Sequence, residues 1–145
     1  MSTTDNGAHP KASQVRSTLR GLITGSGGAI QASAAMTTDG LIIGSALGSN
    51  IDEDVFAAMN ASLLVLADRA SSEVDIGELK QVMVMGTRGV MLLTHIGLDA
   101  VLALATDPSA NLGKVLLDAN KTVQKLYDIL DDKPARPTGM AWPKH

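Results

Sequence analysis

The stretch LGSNIDEDVFAAMNASLLVLADRASS, residues 47–72, limits what this chain can fold into more than any other. It reads as one long helix. Asn50 is a suitable N-cap, with Glu53 three residues on in a capping-box arrangement. Asp52, Glu53 and Asp54 then fall in the first turn, where the helix dipole favours negative charge. Neighbouring acids can also suggest a cation site, but no further ligand spacing accompanies these three. Wound at 100° per residue, Phe56, Met59, Leu63, Leu66 and Ala70 fall in one stripe within about 80°, enough to cover one sheet face. Ala57, Ala58, Ala61, Ser62, Leu64 and Val65 lie on the other sides, where a surface helix should carry charge. A helix that is apolar nearly all round is buried on more than one side. A chain of 145 residues is one domain's worth. Nothing in it remains to cover the second side except another molecule. Helix propensity alone accounts for the alanines. It does not account for Leu64 and Val65, and monomers rarely leave large apolar patches bare.

The flanking sequence supplies the other elements. Residues 1–10 are polar and read as a flexible arm, ahead of a domain spanning 11–130. From Lys11, the residues Ala12, Val15, Leu19, Leu22 and Ile23 recur at helical spacing until the glycines of TGSGG (24–28) stop the run. Ile30, Ala32, Ala34 and Met36 alternate as in a strand with one buried face. Asp39-Gly40 signals a type I′ hairpin, and Leu41 to Ala46 returns from it. After the long helix, Glu78 to Thr87 alternates as a strand, with a turn at Arg88-Gly89. Val90 to Ile96 is uniformly apolar, as in a strand deeper in a sheet. Gly97 to Asp99 turn the chain, and Ala100 to Thr106 form a last strand. Asn111 then caps a final helix whose stripe is Leu112, Val115, Leu116, Ala119, Val123, Leu126 and Leu130. The tail from 131 to 145 carries three prolines and is expected to be flexible. The order is α-β-β-α-β-β-β-α, an α+β pattern.

Chemistry is scarce. Gly113-Lys114 at the start of the final helix resembles a phosphate loop, but Pro108 occupies the first glycine position and Val115 replaces the hydroxyl. Gly113 is better explained by close backbone packing. Gly25, Gly27 and Gly28 follow a helix and open a strand, the reverse of a dinucleotide fingerprint. The chain has no cysteine, which excludes disulfides, thiolate metal sites and thiol catalysis. His95, within VMLLTHI, is the only histidine in the domain, and no nucleophile accompanies it. Ser33, Ser45 and Ser62 lack an elbow sequence. Most of the seven methionines fall at core spacings. With net charge −3, no Lys/Arg cluster and 2% aromatics, nucleic acid is not an expected partner. No apolar run reaches the ~20 residues of a membrane span. The first residues lack the regions of a signal peptide, so the cytoplasm is the expected compartment. No catalytic, cofactor or metal residues can be named. The expectation is a protein that binds and does not react.

The order of elements, the TTDGLIIGSAL hairpin, the VMVMGTRGVMLLTHIGLDAVLAL three-strand run and the NLGKVLLDANKTVQKL helix together resemble the Roadblock/LC7 family over residues 11–130. Within the family the chain looks most like its prokaryotic, MglB-like members, since its central helix is unusually rich in alanine. The resemblance implies a five-stranded antiparallel sheet with the central helix on one face and the terminal helices on the other. It also implies a homodimer formed by joining third strands and packing central helices. Carried onto this chain, that places Asp52–Ser71 and Leu79–Thr87 at the interface, with Ala57, Ala58, Ala61, Ser62, Leu64, Val65 and Arg69 from the helix and Leu79, Gln81, Met83 and Met85 from the strand. The implied function is non-enzymatic: an activator or scaffold for a Ras-like small GTPase. The alternative is a pure assembly module that docks partners through the sheet edge or the tail.

Overall fold

A computed structural model describes residues 9–131, so the arm to residue 8 and the tail from 132 lie outside the described residues. Three helices and five strands run in the order α1 (Ala12–Gly25), β1 (Ile30–Thr37), β2 (Ile42–Ala46), α2 (Glu53–Glu73), β3 (Gln81–Gly86), β4 (Gly89–Ile96), β5 (Ala100–Thr106) and α3 (Leu112–Leu130). Every strand pairing is antiparallel, and the sheet order is β2-β1-β5-β4-β3. β5 and α3 begin and end where their sequence signals do.

The sheet divides the core in two. On one face α1 and α3 pack Val15, Leu19, Val115 and Leu126 against Ala35, Leu92, Leu102 and Leu104. On the other, α2 packs Ala57 and Leu64 against Ala34, Met36, Leu93, Val101 and Ala103. Because helices cover both faces of β1, Ser33 and Ala35 are buried along with Ala34 and Met36. The single buried face expected of that strand is therefore corrected: a central strand with helices on both sides has no solvent face.

The β1–β2 hairpin also differs from the expected type I′ turn. Thr37 N donates to Leu41 O at 2.8 Å and Gly40 N to Thr37 O at 3.0 Å, which leaves Thr38, Asp39 and Gly40 as a three-residue loop. Only Gly40 has positive φ (94°), as in a turn closed by a glycine bulge, and the Thr37 hydroxyl bonds the Asp39 carboxylate.

At the start of α2 the N-cap is Asp52, not Asn50. Its carboxylate accepts from Asp54 N (3.0 Å) and Val55 N (3.1 Å). Glu53, freed from a capping box, accepts from the Ser45 hydroxyl and ties the helix start to β2. At α3, Asn111 caps as expected, accepting from Lys114 N at 3.1 Å. Lys114 pairs with Asp118 at 2.9 Å, an ordinary i,i+4 surface pair and no phosphate ligand. A methyl group on Gly113 would meet only Asn111 Oδ1 at 3.4 Å, so close packing is not what places glycine there. In the preceding loop, the Ser109 hydroxyl and N–H both donate to Asp107 and hold its carboxyl below the usual range.

β3 is shorter than its sequence signal and lies at the sheet edge. Gly86 pairs with Gly89, so the turn residues are Thr87 and Arg88, one position earlier than expected. A Cβ on Gly89 would lie 2.3 Å from Thr106 O, so only glycine permits β4 to start against β5 there.

Candidate protein-interaction surface

The long helix keeps its two sides, but the sheet takes the smaller side chains. Ala57, Asn60, Ala61 and Leu64 are buried, Leu64 to 2% exposure, with Phe56 and Leu63 half-buried beside them. Met59 and Leu66, expected to cover the sheet, are 59% and 62% exposed, and Ala70 is exposed as well. The physical reason is the sheet beneath. Its α2 face presents Ala34 and Ala103, and a Cβ on Gly40 would come within 3.3 Å of the Ala58 Cα. Small residues on both surfaces let the helix seat closely. Large side chains on that side would hold it away from the sheet. Ala57, Ala61 and Leu64 therefore belong to the chain's own core, which corrects their assignment to a free face.

What α2 leaves in solvent is a different stripe. Val55, Ala58, Met59, Ser62, Val65, Leu66 and Arg69 are all exposed and recur at spacings of three and four. Of the helix positions singled out from the sequence, Ala58, Ser62, Val65 and Arg69 lie in this stripe. Val55, Met59 and Leu66 are the additions. The signal that could have found them is the alanine content of β1 and β5: a sheet that small calls for the small side of the helix.

The second component is β3. α2 packs over the β1, β5 and β4 part of its sheet face and reaches Val82 of β3, while Val84 further along β3 is left exposed. Val82 and Val84 share that face, because Val82 pairs with Leu93 of the α2-side core. Gln81, Met83 and Met85 point to the opposite face, where Met85 is 71% exposed. Leu79, just before the strand, is half-buried against the α2-side core. Met59, Met83 and Met85 are thus surface residues, against the expectation that most methionines are core. Among the described methionines, Met36 is fully buried. β2, the other edge, is short and largely covered by α1, and Gly44 lies so close to Val15 that a Cβ there would be 2.9 Å from its side chain.

His95 lies on β4 and lines an open cleft of about 720 Å³ with Asp68, Asp75 and Glu78, and its Nδ1 is buried without a hydrogen-bond partner. Among the described residues, no three His, Cys, Asp or Glu side chains are grouped to hold a metal ion. No described helix is long and apolar enough to cross a membrane. The prominent surface is therefore the apolar one: a strand edge bonded on one side only, and a helix stripe whose one charge is Arg69. Such surfaces bind protein.

Comparison with known proteins agrees with this architecture. The family model for the Roadblock/LC7 domain matches residues 22–106. An uncharacterised protein of Methanocaldococcus jannaschii is 31% identical over 97 residues, which covers 67% of this chain and 81% of the relative. The crystal structure of a Roadblock/LC7 domain from Streptomyces avermitilis superposes with a TM-score of 0.74 at 19% identity, over 80% of this chain and 97% of that one. Myxococcus xanthus MglB superposes with a TM-score of 0.75 at 20% identity, over 83% and 97% of the two chains. At such identities the two structural likenesses speak to the fold.

Proposed function

This chain belongs to the Roadblock/LC7 family, and from that premise we propose that it is a non-enzymatic, homodimeric regulator of a Ras-like small GTPase in the cytoplasm, acting as activator or scaffold. The observation that carries the reading is the exposed apolar stripe of Val55, Met59, Val65 and Leu66 on α2 together with the apolar edge strand β3, whose exposed Val84 shares the α2 face. A six-residue edge strand this apolar, with no proline and no charge inside it, is an aggregation hazard unless it is paired. Pairing β3 with a second β3 satisfies the edge, and packing two α2 helices above it covers the stripe. The resulting two-helix platform is the surface on which a globular partner would sit.

Catalysis by the chain itself has no support in its side chains. Ser72 lines the same cleft as His95, but no hydrogen bond joins the two, and neither Arg69 nor Arg88, the arginines between the flanking helices, is held in place by a hydrogen bond or ion pair among the described residues. Acceleration of GTP hydrolysis, if the chain is an activator, then comes from repositioning the GTPase's own residues or from one of these arginines ordered on binding.

The test has two stages. Solution mass should correspond to two chains, and a stable monomer overturns the reading at once. Candidate Ras-like GTPases of the same organism, loaded with a GTP analogue, should then co-elute with the dimer. Hydrolysis rates separate activator from scaffold. A dimer that captures none of them leaves the pure assembly module as the better reading.

A further inference from the structure

Two clefts meet at the end of the sheet where β4 turns into β5, and the chain leaves α3 beside them. The first is the open cleft of about 720 Å³ on the α2 side, walled by Asp68, Asp75, Glu78 and His95. The second, of about 510 Å³, is walled by Ile96, Tyr127, Leu130 and Asp131 on the α3 side. Glu78, Gly97 and Leu98 belong to both, so one groove rounds the sheet end from face to face. The alternation of β4 explains the two faces. His95 pairs with Val101 of the α2-side core, and Ile96 with Ala100 of the other.

No described group offsets the charge of this groove. Asp68, Asp75 and Glu78 have neither an ion pair nor a side-chain hydrogen bond among the described residues, and no Lys or Arg stands in the wall. The Nδ1 of His95 beside them is buried without a partner. Carboxylates only accept, so the fitting occupant donates and carries positive charge. Leu98 at 79% exposure and Ile76 at 73% add an apolar rim.

Residues 132–145 have that chemistry. Lys133, Arg136 and Lys144 stand against one acid, Asp132, and Met140 and Trp142 supply apolar surface. The segment also starts in the right place, because Asp131 is itself in the wall of the second cleft. Pro134 and Pro137 favour the extended form, in which about 3.1 Å per residue gives roughly 15 Å from Asp131 to Arg136. That is enough to round the end of a single sheet, since packed layers lie about 10 Å apart. We propose that the tail of each copy folds back along this groove, with the Arg136 guanidinium among Asp68, Asp75 and Glu78 and with Trp142 over Leu98 and Ile76. The tail then fastens the end of α3 to the loop after α2, whether or not two copies pair.

Trp142 is the only tryptophan, so its fluorescence in the full chain reports on the tail alone. Its emission should lie to the blue of a free tryptophan amide, with weaker quenching by acrylamide. Arg136→Glu, outside the folded elements, should move the emission to the red and raise quenching to the level of the free amide. Asp75→Lys combined with Glu78→Lys should do the same at unchanged circular dichroism, and high salt should act in the same direction. Asp54→Lys lies at the other end of α2, about 21 Å from Asp68 along the helix, and should leave the emission as it is. Free-amide emission from the native chain overturns the proposal. So does a shielded Trp142 that the cleft variants fail to release; release by Leu66→Asn instead places the tail on the α2 stripe. Shielding lost on dilution, in step with dissociation of two copies, assigns the tail to the partner's groove and overturns docking within one copy. A wild-type monomer with a shielded Trp142 overturns the dimer reading and leaves this one standing.

Discussion

Leu64 and Leu66 lie two residues apart on α2 with opposite fates, and truncating each in turn separates the two sides of the helix. Leu66 is 62% exposed in the single chain. Fully burying a leucine side chain stabilises by roughly 1.5–3 kcal/mol, so covering the exposed part is worth about 1–2 kcal/mol per copy and about 2–4 kcal/mol per symmetric dimer. Leu66→Asn should therefore raise the dimer dissociation constant roughly 30- to 1000-fold, since ~1.4 kcal/mol is one decade. Stability of the isolated chain should change by no more than about 0.5 kcal/mol. Leu64 is 2% exposed against Ala34, Met36 and Leu93. Leu64→Ala should cost about 2–5 kcal/mol of folding stability. Sedimentation equilibrium over a range of concentrations measures the first quantity. Urea unfolding at concentrations below dissociation measures the second, because the stability of a dimer depends on its concentration. If Leu66→Asn unfolds the chain, or leaves association untouched, the face assignment of α2 is wrong.

Two further substitutions test the frame that holds this surface. Gly89→Ala places a Cβ 2.3 Å from Thr106 O, where backbone has to move, so it should lower the urea midpoint by an amount equivalent to roughly 2–4 kcal/mol; a wild-type midpoint contradicts the close approach of β4 and β5. Asp52→Ala should cost ~1 kcal/mol, while Asn50→Ala, with no capping role, should stay within about 0.5 kcal/mol in the same assay.

Much of the frame was legible because it rests on local signals. Asn111 marked the start of α3 to the residue, and the run Ala100–Thr106 between the Gly97–Asp99 turn and Asp107-Pro108 marked β5. Asp52 and Asn50 are both competent caps two residues apart, so sequence alone does not choose between them; backbone geometry does. The helix face was misread for a deeper reason. Ranking residues by size assumes that the largest are buried, which holds when a helix stands well off its sheet. Here Ala34 and Ala103 below, and Ala57 and Ala61 above, bring the two layers together, and Met59 and Leu66 are turned outward. That choice depends on the composition of both layers at once, which a helical wheel does not contain. The strand half of the surface was legible as Met83 and Met85; the edge position of β3 followed only from the family resemblance, since edge position is set by the order in which strands assemble.

β3 is bonded to the rest of the domain along one side only, through β4. Segments tethered in this way open at a fraction of the free energy needed to unfold the whole. In the proposed dimer, a chain that has not met its mate would expose that ribbon to proteases, and pairing would withdraw the target. Lifetime in the cell would then rise with copy number, so that scarce solitary chains would be cleared while abundant ones persisted.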